Sequence, residues 1–153
     1  MTVDMEKLKS VAQIAGEDAE ETELLRASLE EATAFLKAFD WCRGIREMYF
    51  GLGVGGVVSV FLFRIDAAPM VDEWVWVIVG DLPSCYLVTD EAQTPVGALK
   101  TYCDLMEDWV RAVRARRPLN DVFPVSAEPS EENADLLAKR IKLLRTDVIP
   151  AFA

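Results

Sequence analysis

Carboxylates are the side chains in this 153-residue sequence that come closest to a catalytic set. Asp81 follows a Trp-rich segment, at the point where a predicted strand gives way to a turn. A carboxylate beside aromatic side chains can serve as a general acid or base when its environment shifts its pKa. Asp81 with Glu73 or Asp104 would then support a carboxylate-dependent hydrolase. Because Asp81 precedes Leu-Pro, ordinary turn chemistry, in which the aspartate bonds to nearby backbone, is the interpretation we favour.

A second group of acids, Asp104, Glu107 and Asp108, lies at helical spacings of three and four residues. Such a group could hold a divalent cation or perform glycoside chemistry. It falls opposite the apolar stripe of its predicted helix, however, and catalytic carboxylates need burial or a cleft. We therefore predict a solvated ladder of ion pairs formed by Asp104, Asp108 and Arg111.

The composition excludes several other kinds of catalytic and metal-binding site. The chain has no histidine, which excludes Ser-His-Asp and Cys-His nucleophiles and His-ligated zinc or iron within one chain. The cysteines, Cys42, Cys85 and Cys103, are odd in number and form no Cys-x-x-Cys pair, so we predict reduced thiols in a cytoplasmic protein. We accordingly predict no catalytic residue, no metal site and no cofactor.

The net charge indicates which classes of partner the protein can bind. Asp and Glu number 26 against 16 Lys and Arg, a net charge of -10, and the excess is concentrated before residue 41. Such a surface repels phosphates, which argues against nucleic acid, and it suits a basic protein partner. The longest uncharged stretch, 48–63, contains four glycines and is shorter than the ~20 residues of a membrane span, so no membrane association is predicted.

The glycine-rich run 51–56 superficially resembles a phosphate-binding loop. A dinucleotide fingerprint needs a strand, then glycines, then the N-terminus of a helix. The predicted order here is helix, glycines, strand, and no Gly-Lys-Ser/Thr follows. We interpret the run as a helix C-cap and the entry to a strand.

Hydrophobic periodicity predicts the elements that carry these residues. Apolar residues spaced by three and four indicate a short helix over 3–15 and a long one over 20–50, and β-branched and aromatic runs indicate strands over 57–65, 74–79 and 84–88. Thr94 and Pro95 are suited to begin a third helix, which we expect to end near Arg116. Ser130 is suited to cap a last helix, which we expect to reach Val148.

Helices segregated from strands indicate an α+β fold. We predict a single domain, with residues 1–18 mobile, in which three antiparallel strands, with room for a fourth, pack with three long helices and a short N-terminal helix. The strand at 74–79 is apolar on both faces. Either helices cover both faces of the sheet, or one face meets another subunit.

The aromatic residues give the binding candidates. Trp74 and Trp76 point to the same side of one strand, and Tyr86 and Arg64 lie on the neighbouring predicted strands. These four residues with Asp81 could anchor a protein interface or line an aromatic pocket.

The run from Trp74 to Pro83, with Tyr86 after it and Asp40-Trp41-Cys42 before it, resembles a small family of uncharacterised bacterial proteins. The resemblance extends over about 33–148 and includes the Thr94-Pro95 helix start. It implies a cytosolic bacterial setting and transfers no activity or functional residue.

These observations favour a non-enzymatic interaction protein, either a homodimer or the partner of another protein. The alternative is a small-ligand module with an aromatic pocket, and a carboxylate-dependent hydrolase comes third.

Overall fold

A computed structural model describes residues 3–153, and its centre is one antiparallel sheet between two helical layers. The strands are β1 (Lys9–Ser10), β2 (Cys42–Val54), β3 (Val58–Ala67), β4 (Trp74–Gly80) and β5 (Cys85–Val88). The helices are α1 (Ala19–Lys37), α2 (Pro95–Arg114), α3 (Glu131–Leu143) and the short α4 (Ile149–Phe152), which follows a π-helical turn over Leu144–Val148. The predicted α+β class is confirmed, but the sheet has five strands where three or four were expected.

The strands follow one another in the sheet in their order along the chain, so the predicted antiparallel meander is confirmed. Strand β3 is central and pairs along its length with β2 and β4. Strand β1 pairs only with Tyr49 and Phe50, and β5 forms the opposite edge. Short hairpins connect β2, β3, β4 and β5, as antiparallel neighbours allow.

The prediction of a helix over 20–50 is wrong in its second half. Helix α1 ends at Lys37, and β2 begins at Cys42. Three irregularities in the pairing with β3, near residues 43, 46 and 51, break the two-residue alternation that identifies a strand. The apolar residues of β2 therefore fall at spacings that also fit a helix, and pairing with β3 decides their conformation.

The glycine-rich run also lies elsewhere than predicted. Gly51 and Gly53 belong to β2, and Gly55 and Gly56 form the turn to β3, where Gly56 has φ of +77°. A glycine satisfies that turn without the steric cost that a side chain brings. The run is therefore a strand and a hairpin, and not a helix C-cap.

The predicted short helix over 3–15 is wrong as well. Two 3-10 turns, Met5–Lys7 and Val11–Gln13, flank β1. Val3 and Ile14 are buried against the domain. The expectation that residues 1–18 are mobile stays a prediction, and its first two residues lie outside those described.

Helices cover both faces of the sheet, which answers the question raised by the apolar strands. The face under α2 and α3 buries the side chains of Leu62, Trp76, Leu99, Tyr102, Met106 and Leu144. The face under α1 buries those of Leu25, Leu36, Phe61, Phe63, Ile65 and Val77. The polar alternation expected of a half-exposed sheet is absent from β4 because residues 75–79 are buried on both faces of that strand.

The starts of the later helices agree with the sequence. The Thr94 hydroxyl accepts a hydrogen bond from the Gly97 amide at the start of α2, and Ser130 caps α3 in the same manner. The last helix is interrupted by the π-helical turn before it reaches Val148. Among residues 3–153, no helix is both long enough and apolar enough to cross a membrane.

Candidate interaction surface

Arg64 and Trp74 lie together on the α2 side of the sheet, but Arg64 is already neutralised. Its guanidinium contacts Glu47 at 2.9 Å and Glu73 at 3.3 Å, and its central carbon lies 5.7 Å from the Trp74 ring centroid. The hydrogen bond from Arg64 lowers the pKa of Glu47, so this carboxylate stays charged and holds the pair. Two carboxylates on one arginine leave little positive charge for an anionic ligand.

Trp76 belongs to the core. Its side chain is 0% exposed, and its indole Nε1 donates to the Ala92 carbonyl at 2.9 Å. The predicted shared side with Trp74 is observed, yet of the two only Trp74 is partly exposed. Trp76 thus has no surface to offer a partner or ligand in this structure.

The carboxylates considered for hydrolysis are held in separate ion pairs. Asp81 pairs with Arg140 of α3, which also donates to the Asp81 backbone carbonyl at 3.0 Å. Glu73 pairs with Arg64, and Asp104 pairs with Arg145 at 2.8 Å. The Asp81 side chain is 63% exposed. Each carboxylate faces an arginine and solvent, so the three do not form the buried or cleft-bound pair that acid–base catalysis requires.

The acids of α2 form ion pairs, although with a different geometry from the predicted ladder. Glu107 pairs with Arg111 one turn along the helix and with Arg145 from the π-helical turn. The hydrogen bond from Arg145 lowers the pKa of Glu107. In the described part of the chain, Asp108 takes part in no ion pair, and no group of three potential metal ligands occurs.

Tyr86 lies in an aromatic cluster with Phe35, Phe39 and Trp41 on the α1 side of the sheet. The Trp41 and Tyr86 ring centroids are 4.8 Å apart, and Phe39 lies 4.9 Å from Trp41 and 5.1 Å from Tyr86. All four side chains are partly exposed. Of these four residues only Tyr86 was predicted to take part in binding, because the predicted long helix placed Phe39 in its apolar stripe and two other tryptophans were favoured over Trp41.

A cleft of about 280 Å³ opens beside this cluster, and we call it the edge cleft. Its lining is Trp41, Met70, Val71, Asp72, Val75, Tyr86 and Val88. Met70 lies in the connection between β3 and β4, is fully exposed and has φ of +70°. Methionine is an adaptable apolar side chain, so Met70 adds exposed apolar surface to a cleft that aromatic rings already line.

Two residues of the edge strand β5, Tyr86 and Val88, line the edge cleft. The four residues of β5 pair with β4 on one side. On the other side, no hydrogen bond from elsewhere in residues 3–153 reaches them. An open edge presents unpaired N–H and C=O groups to an incoming strand. Asp72 in the cleft and Asp90 and Glu91 just after β5 are exposed and lie outside the ion pairs of the described chain.

Comparison with known proteins identifies no relative: the chain matches no protein-family model, no curated protein and no solved structure.

Proposed function

We propose that this protein is a non-enzymatic binding module and that β5 receives an extended segment of a partner protein. The supporting observation is the open edge of β5 beside an aromatic-lined cleft. In strand addition, main-chain hydrogen bonds give affinity, and pockets for alternate side chains give specificity. The edge cleft lies beside Tyr86 and Val88, so it would accept the apolar side chains on one face of the added strand.

Charge favours a basic partner over a second copy of this chain. Two copies each carrying -10 repel one another. A Lys or Arg at the end of the added strand that lies beside Val88 would instead meet Asp72, Asp90 and Glu91. A homodimer paired through β5 is therefore the less favoured form of the same function. The aromatic-pocket alternative retains Tyr86 but loses Trp76 and the free charge of Arg64.

We further propose a cytoplasmic, bacterial setting. The three cysteines are free and buried, as suits a reducing compartment. The bacterial origin rests on the family resemblance of the Trp-rich run.

A synthetic peptide tests the proposal. The probe is an eight-residue peptide of alternating Lys and Val, titrated into the ¹⁵N-labelled protein and followed by amide chemical shifts. We expect the largest shifts at residues 85–88 and 70–72. A peptide with alternate amides N-methylated should bind at least tenfold more weakly, because it cannot complete the ladder. Equal binding by both peptides, or shifts confined to another surface, would refute strand addition.

Charge reversal supplies the matched control. Asp72→Lys and Asp121→Lys change the net charge equally at exposed acids, but Asp72 lines the edge cleft and Asp121 does not. We expect Asp72→Lys to weaken the Lys-Val peptide severalfold and Asp121→Lys to have little effect. Light scattering on the free protein should give the mass of a monomer. A stable dimer would instead favour a second copy of this chain as the occupant of the β5 edge.

A further inference from the structure

A second cavity, of about 530 Å³, lies between β1, β2 and the first turn of α2, away from the edge cleft. We call it the lysine groove. Its apolar walls come from Phe50, Leu52, Pro95, Val96 and Phe152. Small-ligand pockets typically measure about 300–1,000 Å³ and are mostly apolar with a few polar groups, so the groove has the size and the lining of a ligand site.

The groove exists because β1 is short and because β2 has glycines, which carry no side chain, at the positions beside it. Strand β1 covers only Tyr49 and Phe50 of β2. Beyond them, Gly51 lies at a pairing irregularity and Gly53 follows it, and both line the groove. A Cβ atom added to Gly51 would come 2.8 Å from the Pro95 ring, so the glycine lets α2 approach the sheet. The cavity is therefore built by the backbone of the domain.

Positive charge converges on the groove in a strongly acidic protein. Lys7, Lys9 and Lys100 line it and are exposed. No Asp or Glu side chain lines it, although Ala153, with its main-chain carboxyl group, is also among the lining residues. The three lysines are among the chain's six. Within residues 3–153 every ion pair uses an arginine, so these ammonium groups are not neutralised by carboxylate side chains.

The start of α2 adds to this potential. The helix is twenty residues long, and Thr94, Pro95 and Val96 of its first turn line the groove. The Gly97 N–H donates to the Thr94 hydroxyl, and Pro95 has no amide hydrogen. The Val96 N–H is therefore the free backbone donor in this turn. The positive end of a helix dipole strengthens anion binding at such a position.

We propose that the lysine groove binds an amphipathic anion, in which one apolar chain carries a carboxylate head. The chain would lie along Val96 and Phe152, the apolar lining residues with exposed surface, and the head would meet the lysines. The apolar walls favour such a ligand over a simple inorganic anion, and the lysines favour it over an uncharged lipid. This site does not depend on strand addition at β5, and its charge is opposite to that of the edge cleft.

The probe is dodecanoate, titrated below its micelle concentration into the full chain by isothermal calorimetry. The lysines allow a balanced comparison. The variant Lys7→Gln/Lys9→Gln/Lys100→Gln removes the charges of the groove, and Lys37→Gln/Lys139→Gln/Lys142→Gln removes the same charge elsewhere. We expect the first variant to lose at least tenfold in affinity and the second to stay within twofold of the parent.

Two further measurements distinguish recognition of the carboxylate head group from nonspecific hydrophobic adsorption of the chain. Dodecanol, which has the chain without the charge, should bind at least tenfold more weakly than dodecanoate. Val96→Glu places a carboxylate at the second position of α2, where the helix dipole tolerates it, and should abolish dodecanoate binding while circular dichroism stays unchanged. Equal losses in both lysine variants, equal binding of dodecanol, or no dodecanoate binding by the parent would each overturn the assignment.

Discussion

Replacing Trp76 by phenylalanine tests whether the packing of α2 on the sheet is described correctly. The Trp76 side chain is 0% exposed, and its indole donates to the Ala92 carbonyl in the segment that leads into α2. Ala92 is itself 5% exposed, so water cannot easily replace the lost donor. Phenylalanine keeps an aromatic ring but removes the donor and part of the volume.

The expected cost has two parts. An unpaired buried carbonyl costs about 1–3 kcal/mol. The space left by the smaller ring costs roughly 1–2 kcal/mol more, because a close-packed core relaxes only partly around a cavity. Together they predict a loss of about 2–5 kcal/mol in the free energy of unfolding. With a urea slope of about 2 kcal/mol/M, a loss of about 3 kcal/mol lowers the unfolding midpoint by about 1.5 M.

The assay is urea unfolding followed by far-UV circular dichroism, which does not depend on tryptophan fluorescence. Trp74→Phe is the control, since Trp74 lies on the same face of β4 but is partly exposed and has no indole hydrogen bond. We expect its loss to stay below about 1 kcal/mol, because only surface contacts change. If Trp76→Phe cost less than about 0.5 kcal/mol, or no more than Trp74→Phe, the described packing would be wrong.

Three further predictions follow from other contacts. Gly80→Ala should cost more than about 2 kcal/mol, because Gly80 has φ of +150° and an added Cβ would lie 2.2 Å from a backbone oxygen of residue 57, whereas Gly44→Ala has open space and serves as the control in thermal unfolding. Glu107 has its folded pKa lowered by Arg145, so its contribution to stability is present above the unfolded pKa of about 4.3 and lost as the pH falls through the folded pKa. The melting temperature should therefore fall less steeply on acidification in Glu107→Gln than in the parent or in Glu132→Gln, and equal slopes in all three would contradict this. The three buried cysteines should react slowly with a thiol reagent at pH 8 in the native protein and fast in urea, since burial raises their pKa values, and rapid native labelling would show that their shielding is misassigned.

Local chemistry was sufficient for much of the second half of the chain. Thr94 and Pro95 begin α2 as predicted, because an N-cap hydroxyl and a proline act on the first turn alone. The strands β3, β4 and β5 were found from β-branched and aromatic runs with short turns between them. In each case the information lies within a few residues of the element.

Strand β2 could not be found in this way. Its bulges remove the regular alternation, and Ile45, Met48 and Tyr49 fit the apolar stripe of a helix equally well. Only the ten-residue β3, which supplies the backbone partners, selects the strand. Strand β1 is two residues long, and no sequence signal distinguishes so short a pair from a turn.

The candidate sites also combine features that the local sequence predicts with features that only the tertiary structure brings together. Residue type alone points to Tyr86, but the cluster around it exists because the chain after α1 brings the Trp41 ring against the Tyr86 ring. The lysine groove was missed, since Lys7 and Lys9 lie more than ninety residues from Lys100 along the chain. No local pattern links side chains that distant.

The sequence by itself determined the absence of histidine chemistry, the acidic charge, the α+β class and the apolar character of both faces of the sheet, because these follow from composition and short-range periodicity. Tertiary structure alone decided that helices cover both faces and that Asp81, Glu73 and Asp104 are each held by an arginine. It also decided that three lysines face one cavity. Such arrangements depend on contacts between distant segments, and a side chain's environment is fixed only when the chain has closed around it.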